Sequence, residues 1–206
     1  KHGEEIMANN FKTLGIIGRF KPLHNGNYEL LRNICKNAEK VIIGIGSSNR
    51  YNYRNPFTAK ETADMIRLSL KDFKNFKIIF LEDFGHIPKF KDGTQWKETI
   101  AKKFGKLDYM ISGNEYVKSL LKDQYKILDP FRIVENKIKL NSAKVRFKIA
   151  RGYKWRRLIP EEIAEYLEEN NLIERFRKEF GKETIEKSEL KFNKNCQEEL
   201  NNIQSN

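Results

Sequence analysis

The chain has 206 residues, of which 39% are hydrophobic, and it contains 14 Phe and 8 Tyr, which predicts one globular domain with a sizeable core. The net charge of +12 favours an anionic partner such as a nucleotide, a nucleic acid or a membrane surface, although composition alone does not choose among them. No apolar run approaches the length of a membrane span, and Cys35 and Cys196 form neither a metal motif nor a disulfide framework, so we expect a cytoplasmic protein without a membrane partner.

Apolar segments of strand and helix type alternate along the first two thirds of the chain. Strands are predicted at 13–18, 40–46, 76–81 and 108–112, with a fifth within 125–134, and helices at 26–38, from about Thr58, at 94–104 and at 114–121. This alternation predicts a Rossmann-like α/β fold, a doubly wound parallel sheet of about five strands. Ligands bind such sheets at the carboxyl ends of the strands, so four loops should form one site: 18–26, 46–57, 82–93 and 112–115.

The rest of the chain reads as a helical extension. Residues 142–180 include two predicted helices with apolar faces, formed by Ile163, Ala164 and Leu167 and then by Leu172, Ile173 and Phe176. We therefore expect a nucleotide-binding α/β domain at 7–140 and C-terminal helices at 141–180 that complete the same domain. The polar segment 181–206 is predicted to be a tail, either a loosely packed helix or a frayed end.

The segment "GRFKPLHNGN" after the first strand has the composition of an anion site. A helix N-terminus presents free backbone N–H groups and the positive end of the helix dipole. Gly18 and Gly26 let a ligand approach the backbone, and Arg19 and Lys21 add positive charge. His24 can donate a hydrogen bond to a phosphate, or it can be an ordinary loop histidine. The segment is neither a Walker loop nor a dinucleotide fingerprint, because it lacks their glycine spacings.

A second segment, "NSAKVR", begins a helix that carries several cations. Ser142 can cap this helix, and Lys144 and Arg146 follow in its first turns, where positive charge opposes the helix dipole. An anion bound at that end would explain them. The alternative is a solvated or nucleic-acid-facing basic helix, and that alternative stays open for Arg151 to Arg157.

These two segments resemble the His-x-Gly-His and Ser-x-x-x-Arg signatures of the nucleotidylyltransferase superfamily. Three further stretches and the region of Trp96 are similar to archaeal-type nicotinamide-nucleotide adenylyltransferases: "IGSSNRYNYRNPFTAKE", "SGNEYVKSLL" and "GYKWRRLIPEEI". The resemblance covers residues 13–168 in order. It implies transfer of the adenylyl group of ATP to a mononucleotide, with nicotinamide mononucleotide (NMN) favoured, to give NAD and pyrophosphate. It also implies that Mg²⁺ is bound mainly through the ATP phosphates, without a metal site on the protein.

The resemblance also implies the site residues by position. The groups that act on the reacting phosphates would be His24, Arg19 and Arg146. The ATP site would be formed by Gly18, Phe20, Lys21, Gly26, Asn27, Gly113, Asn114, Ser142 and Lys144. The mononucleotide would lie near Ser47, Arg54, Asp83 and Trp96, with Trp96 stacking on its base. From the residues alone, core packing for Trp96, a loop cation for Arg54 and a turn cap for Asp83 remain alternatives.

Two positions depart from the family pattern. Asn27 replaces the second signature histidine, and Thr62 replaces an arginine. Losing one transition-state donor costs about 2.7–4 kcal/mol, and we hypothesise that the additional cations Lys21 and Lys144 compensate.

Other functions therefore stay open. The first is adenylyl or cytidylyl transfer to FMN, phosphopantetheine or an alcohol phosphate. The second is nucleotide binding without turnover, and the third is nucleic-acid binding through the basic 144–157 segment, although a nucleic acid is not the expected partner. A homo-oligomer also stays open, because archaeal-type relatives are often hexamers.

Overall fold

The computed structural model of the chain describes residues 11–134 and 138–192. Its strands are β1 (Phe11–Gly18), β2 (Ala38–Ile45), β3 (Phe76–Phe80), β4 (Tyr109–Ile111) and β5 (Ile127–Leu128). Its helices are α1 (Asn25–Asn37), α2 (Ala59–Ser69), α3 (Thr94–Phe104), α4 (Glu115–Leu121), α5 (Ser142–Ala150), α6 (Glu161–Glu169) and α7 (Leu172–Phe176). Expectations for residues 1–10, 135–137 and 193–206, which include Cys196, lie outside the described residues.

The five strands form one parallel sheet in the order β3-β2-β1-β4-β5. In the register of the sheet, Ile16 of β1 lies between Ile43 of β2 and Ile111 of β4. The chain winds outward in one direction from β1 and in the other from β4, so the topological switch point lies between these two strands. The predicted Rossmann-like α/β fold is confirmed, and ligands of such sheets bind beyond the carboxyl ends of the strands at this point.

Helices cover both faces of the sheet and divide the core in two. On one face, the fully buried side chains include Leu31 of α1, Ile66 of α2 and Phe176 of α7. On the other face, Ile100 and Phe104 of α3 pack beneath the sheet together with Leu121 of α4. Each such side chain contributes about 1.5–3 kcal/mol through burial, so the sheet is a firm base for the loops at its edge.

The first helix ends one residue earlier, and the second strand begins two residues earlier, than the sequence predicts. Ala38, the last residue of the predicted helix, has extended dihedrals (φ −133°, ψ 147°) and pairs with Phe11 of β1. Because Ala38 pairs with β1 in the sheet, α1 ends at Asn37. Cys35, in the last turn of α1, is buried.

Thr58 caps α2, as the sequence predicts. Its side chain accepts a hydrogen bond from the Glu61 N–H at 3.2 Å, and the Glu61 carboxylate accepts one from the Thr58 N–H at 2.8 Å. This reciprocal capping box satisfies two backbone donors at the start of the helix.

The end of the described chain remains helical. A π-helical turn, Arg177–Gly181, follows α7, and residues 182–192 are helical. Thr184 of this segment is buried. The expected division of the chain into parts at residues 140 and 180 stays a prediction. Within 11–134 and 138–192, no helix is both long and apolar enough to cross a membrane.

Candidate nucleotide site

The four predicted loops meet at the carboxyl edge of the sheet. A cleft of about 520 Å³ lies between them, and each loop contributes to its wall through Arg19, Ser47, Asp83 or Asn114. A second cavity, of about 340 Å³, shares Arg19, Ser47 and Asp83 with the first. Ligand pockets commonly have volumes of about 300–1,000 Å³, and both cavities fall within this range.

The turn after β1 points a lysine inward. Phe20 adopts a left-handed conformation (φ 53°), and its buried ring lies so close to Gly18 that a Cβ there would come within 2.6 Å of it. Lys21 follows, joined to Pro22 by a cis peptide bond, and it is fully buried. Its Nζ donates to the Ser47 carbonyl oxygen at 3.1 Å. Phe20 therefore acts as a packing residue of the turn, and it is not among the residues that line the cleft.

Four cations influence one another near this turn: Arg19, Lys21, Arg54 and Arg146. Burial, together with the charges of Arg19 and Arg146, lowers the pKa of Lys21 to about 8. Burial, together with the charges of Arg19 and Arg54, lowers the pKa of Arg146 to about 10. Among the described residues, none of the four has a carboxylate partner within ion-pair distance. Such a cluster favours a bound polyanion, which would relieve the mutual repulsion.

His24 is the N-cap of α1, a role that the sequence reasoning did not assign. Its buried imidazole accepts a hydrogen bond at Nδ1 from the Asn27 N–H at 3.3 Å. Burial lowers its pKa to about 4, so the ring is neutral at pH 7. Because Nδ1 is an acceptor, the proton lies on Nε2, and within the described chain Nε2 has no acceptor. His24 can therefore offer a neutral N–H donor to a ligand.

Helix α5 is tied to the same turn from the opposite side. The prediction that Ser142 caps this helix is wrong: Asn141 is the N-cap, and its side chain accepts from the Lys144 N–H at 2.9 Å. Ser142 Oγ instead donates to the Pro22 carbonyl oxygen at 3.0 Å. This acceptor lies 120 residues away in sequence. Because the Ser142 hydroxyl is bonded to it, Asn141 is the residue that caps the helix.

Arg146 anchors the second bond between these segments. Its Nη1 donates to the Lys21 carbonyl oxygen at 2.7 Å, while its buried Nε has no partner in the described parts of the chain. The residue is only 7% exposed. A guanidinium that is held at one nitrogen and keeps other donors is suited to a phosphate.

The larger cleft has an aromatic, partly acidic wall. Trp96 of α3 lines it and also packs partly on the core beneath α3, so a place in the cleft wall and core packing coexist. Asp83 also lines the cleft, and its carboxylate accepts from Ser47 Oγ at 2.9 Å and from the Gly85 N–H at 3.0 Å. Asp83 therefore caps a turn, as one alternative predicted, and it also lines the cleft.

The remaining predicted residues are spread around this centre. Arg54 lines the smaller cavity, not the cleft, and Gly113 is exposed, with Pro130 as its nearest contact. Gly26 lies in the first turn of α1, where a Cβ would come within 3.1 Å of the Ile138 carbonyl oxygen. Lys144 is exposed, and Asn27 is half-buried next to Gly26.

Several lining residues were not predicted from the sequence. They are Glu82, Gln95, Thr99 and Tyr116 in the cleft and Arg50 and Tyr53 in the smaller cavity. Gln95 and Thr99 lie four residues apart on α3, so helical spacing around Trp96 could have identified them.

A metal site built from side chains does not fit the described residues, because they contain no group of three or more His, Cys, Asp or Glu placed to hold an ion.

Comparison with known proteins agrees with the geometry. The profile of the family "Cytidylyltransferase-like" matches residues 16–179. The chain is 29% identical over 166 residues to the nicotinamide-nucleotide adenylyltransferase of Methanococcus maripaludis strain C5, covering 79% of this chain and 92% of that protein. It is 30% identical over 156 residues to the enzyme of the same name from Methanococcus aeolicus, covering 75% of this chain and 87% of that protein.

A solved structure shares the fold. The bifunctional NMN adenylyltransferase/ADP ribose pyrophosphatase from Francisella tularensis, complexed with AMP and a manganese ion, superposes with a TM-score of 0.64 at 19% identity. The alignment covers 81% of this chain and 52% of that protein, so the chain spans about half its length. The resemblance to archaeal-type nicotinamide-nucleotide adenylyltransferases is confirmed, and the chain belongs to the cytidylyltransferase-like family.

Proposed function

We propose that this protein is a nicotinamide-nucleotide adenylyltransferase, which transfers the adenylyl group of ATP to NMN and releases pyrophosphate. The observation that carries this proposal is the junction of the two phosphate-binding segments. Ser142 and Arg146 hold the Lys21–Pro22 turn through hydrogen bonds of 3.0 and 2.7 Å, directly beside a cleft that contains Trp96.

The proposed reaction needs no general base. An oxygen of the NMN 5′-phosphate, already anionic, forms a bond to the α-phosphorus of ATP. The bond from that phosphorus to the bridging oxygen of the β-phosphate breaks, and the electron pair leaves with pyrophosphate. Catalysis then consists of positioning and charge stabilisation. This agrees with the donors and cations of the site, where no catalytic dyad is required.

The side chains have distinct proposed roles in this step. His24 donates its Nε2–H to a phosphate oxygen that gains charge in the transition state. Arg146 binds the β- and γ-phosphates, with Ser142 and the start of α5 nearby, and Lys21 and Arg19 neutralise charge from the other side. Mg²⁺ arrives as part of the MgATP substrate, coordinated by its phosphates.

The charge of the cleft favours NMN as the acceptor over nicotinate mononucleotide. The charged residues that line it are Arg19, Glu82 and Asp83, two carboxylates against one guanidinium. The nicotinamide ring of NMN is a cation with a neutral amide, whereas nicotinate carries an additional carboxylate. Like charges repel in a partly desolvated cleft, so the acid should be the poorer substrate.

Nucleotide binding without turnover is the second candidate, and Asn27 is the observation that favours it. An asparagine can offer only a neutral hydrogen bond where the family has a histidine. The fully buried Lys21 is a cation within the same turn, and we infer that its charge substitutes for the missing imidazole.

One experiment tests both candidates. The wild type and Asn27→His are incubated with ATP, Mg²⁺ and NMN, and NAD and pyrophosphate are quantified together. FMN, phosphopantetheine, nicotinate mononucleotide and CTP replace the substrates in parallel reactions. Equimolar NAD and pyrophosphate from the wild type is the expected result.

Two other outcomes contradict the proposal. Pyrophosphate formation only with another acceptor would keep the chemistry and change the substrate. Turnover in Asn27→His alone would identify the wild type as a binding protein. Size-exclusion chromatography with light scattering would test in the same preparation whether the protein forms a homo-oligomer.

A further inference from the structure

The loop that carries Arg50 and Arg54 is held from outside the site. We call residues 47–57 the arginine loop, because both arginines line the smaller cavity next to Arg19. Inside the loop, Asn52 and Asn55 exchange backbone hydrogen bonds of 3.3 and 2.8 Å. These bonds shape the tip of the loop, but they do not fix the position of the loop over the sheet.

One turn of the C-terminal segment contacts the middle and the end of this loop. The Arg175 guanidinium forms a two-pronged ion pair with Glu61 (2.6 and 2.7 Å) and donates to the Pro56 carbonyl oxygen at 3.2 Å. Arg175 also lies over the ring of Tyr51, 5.7 Å from its centroid. A single side chain therefore contacts the arginine loop near its middle, at Tyr51, and near its end, at Pro56.

Tyr51 is held by two further contacts from the same turn. Its ring meets the edge of Phe180 at a centroid distance of 5.0 Å, and its hydroxyl donates to the Glu179 carboxylate. Phe57, at the end of the loop, is fully buried and packs on Phe176 at 6.2 Å. We refer to Arg175, Glu179 and Phe180 as the C-terminal clamp.

The same turn also contacts the helix that carries Arg146. Arg177 Nε donates to the Ile149 carbonyl oxygen at 3.0 Å, near the end of α5. Residues 175–180 therefore bridge the arginine loop and α5, the two elements that present Arg54 and Arg146. The positive charge of Arg54 contributes to the lowered pKa of Arg146, and Arg54 lines the smaller cavity together with Arg19. The π-helical geometry of Arg177–Gly181 is a further indication, because such turns often lie at functional sites.

We propose that Arg175, Glu179 and Phe180 are positioning residues, which hold Arg54 at the separation from Arg146 that a bound nucleotide's phosphates require. The proposal rests on the proposed function and extends it to a segment that touches no substrate. A clamp with only a structural role would contribute to folding stability and leave the substrate constants unchanged.

The test uses two variants that remove one contact and keep side-chain size. Tyr51→Phe keeps the ring on Phe180 and deletes the hydroxyl. Glu179→Gln removes the negative charge of the carboxylate that accepts the hydrogen bond from this hydroxyl. We expect KM for MgATP to rise three- to tenfold in each variant, with a smaller change in kcat and a melting temperature within a few degrees of the wild type. Glu183→Gln is the control, since it makes the same charge change on an exposed residue of the next helical turn that has no ion pair within the described chain.

A double-mutant cycle then identifies the residue through which the clamp acts. If Tyr51 works by placing Arg54, then Tyr51→Phe should have no further effect on KM in an Arg54→Ala background. Persistence of the full Tyr51→Phe effect without Arg54, or changes below twofold in both clamp variants, would overturn the proposal.

The dissociation constant of MgATP, measured by calorimetry, separates this inference from the proposed function. Failure of the wild type to make NAD would refute the function, while a three- to tenfold weaker MgATP affinity in the clamp variants would still support the clamp. Equal MgATP affinity in the wild type and the clamp variants, together with an absence of turnover, would overturn both.

Discussion

The two halves of the site are built in different ways. The phosphate half consists of buried side chains fixed to backbone carbonyls, as with Lys21 on Ser47 at 3.1 Å and Arg146 on Lys21 at 2.7 Å. The acceptor half is a loop, residues 82–93, in which most side chains are exposed or half-buried, and Trp96 stands at its edge. The phosphate half is therefore preformed by buried contacts, whereas the acceptor half is a more exposed surface whose residues can vary.

This difference follows from what each half is proposed to bind. A triphosphate has the same charge and shape in every member of a family that uses ATP, and preorganised cations act most strongly where water is excluded. An acceptor base differs from one enzyme to another, and exposed loops tolerate change better than buried turns. Substitutions in the phosphate half should therefore reduce turnover broadly, whereas those in the acceptor half should act on one substrate.

The largest expected effect tests the phosphate half at His24. His24→Asn keeps a side-chain acceptor for the cap of α1 but removes the Nε2–H donor. We expect kcat to fall on the order of 10²–10³-fold, while the free energy of unfolding changes by about 1 kcal/mol or less. Steady-state kinetics and chemical denaturation measure the two quantities.

His24→Ala is the companion variant, because it removes the cap together with the donor. It should lose the same activity and a further 0.5–2 kcal/mol or so of stability.

A pH series adds a third measurement. Since the pKa of the buried ring is lowered to about 4, the unfolded state binds more protons between pH 6.5 and 4. Wild-type stability should fall with decreasing pH in this window through His24, and the Asn variant should lack this contribution. Unchanged kcat in His24→Asn would remove the imidazole from the mechanism.

A smaller and more selective effect tests the acceptor half at Trp96. Stacking of a base on an aromatic ring is worth about 1–3 kcal/mol, so Trp96→Ala should raise KM for NMN by about 5–150-fold. KM for MgATP should change less than twofold, and Trp96→Phe should lie between the wild type and the Ala variant. Initial rates over a grid of both substrates give the two constants.

Trp155 provides the matched control for this prediction, since it is the other of the two tryptophans in the chain. It is 6% exposed and belongs to the core beside α6. Trp155→Phe should lower stability and leave both KM values unchanged. Equal effects of Trp96→Ala on the two substrates would show that the halves of the site are not separable.

The same contrast explains what the sequence could predict. Buried parallel strands are almost continuous apolar runs, so "KVIIGIGS" indicated β2 and the sheet followed from the alternation of elements. Glycines and cations between a strand and a helix indicated a phosphate loop for local reasons. These are properties of short segments, and short segments can be read from one chain.

The remainder depends on contacts between distant segments. Asn141 and Ser142 are both good caps, and the choice between them is made by the Pro22 carbonyl oxygen, which binds Ser142 Oγ. Tyr51 and Glu179 are 128 residues apart, and neither residue belongs to a motif that would suggest the pair. Such pairings are set by the tertiary fold, so the cap and the clamp could not be predicted from local pattern.

The smallest expected effect concerns Lys21 and the pH dependence of ATP binding. In the free protein, burial and the neighbouring cations lower the pKa of Lys21 to about 8, and a bound polyphosphate favours the charged form and raises this pKa. Affinity for MgATP should therefore be highest below pH 8 and should fall between pH 8 and the higher pKa of the complex, by at most about tenfold per pH unit. An ordinary lysine would cause no change until about pH 10.4.

Isothermal titration calorimetry from pH 7 to 9 in buffers of different ionisation enthalpy measures both the affinity and the proton uptake. Lys21→Gln should bind MgATP more weakly at pH 7 and show little dependence on pH, whereas Lys60→Gln, on the exposed start of α2, should follow the wild type. The buried ammonium would then be a charge that the phosphate half uses only while it is protonated. If the pH profile of Lys21→Gln were parallel to that of the wild type, another group would be responsible, and the compensation of Asn27 by Lys21 would lose its physical basis.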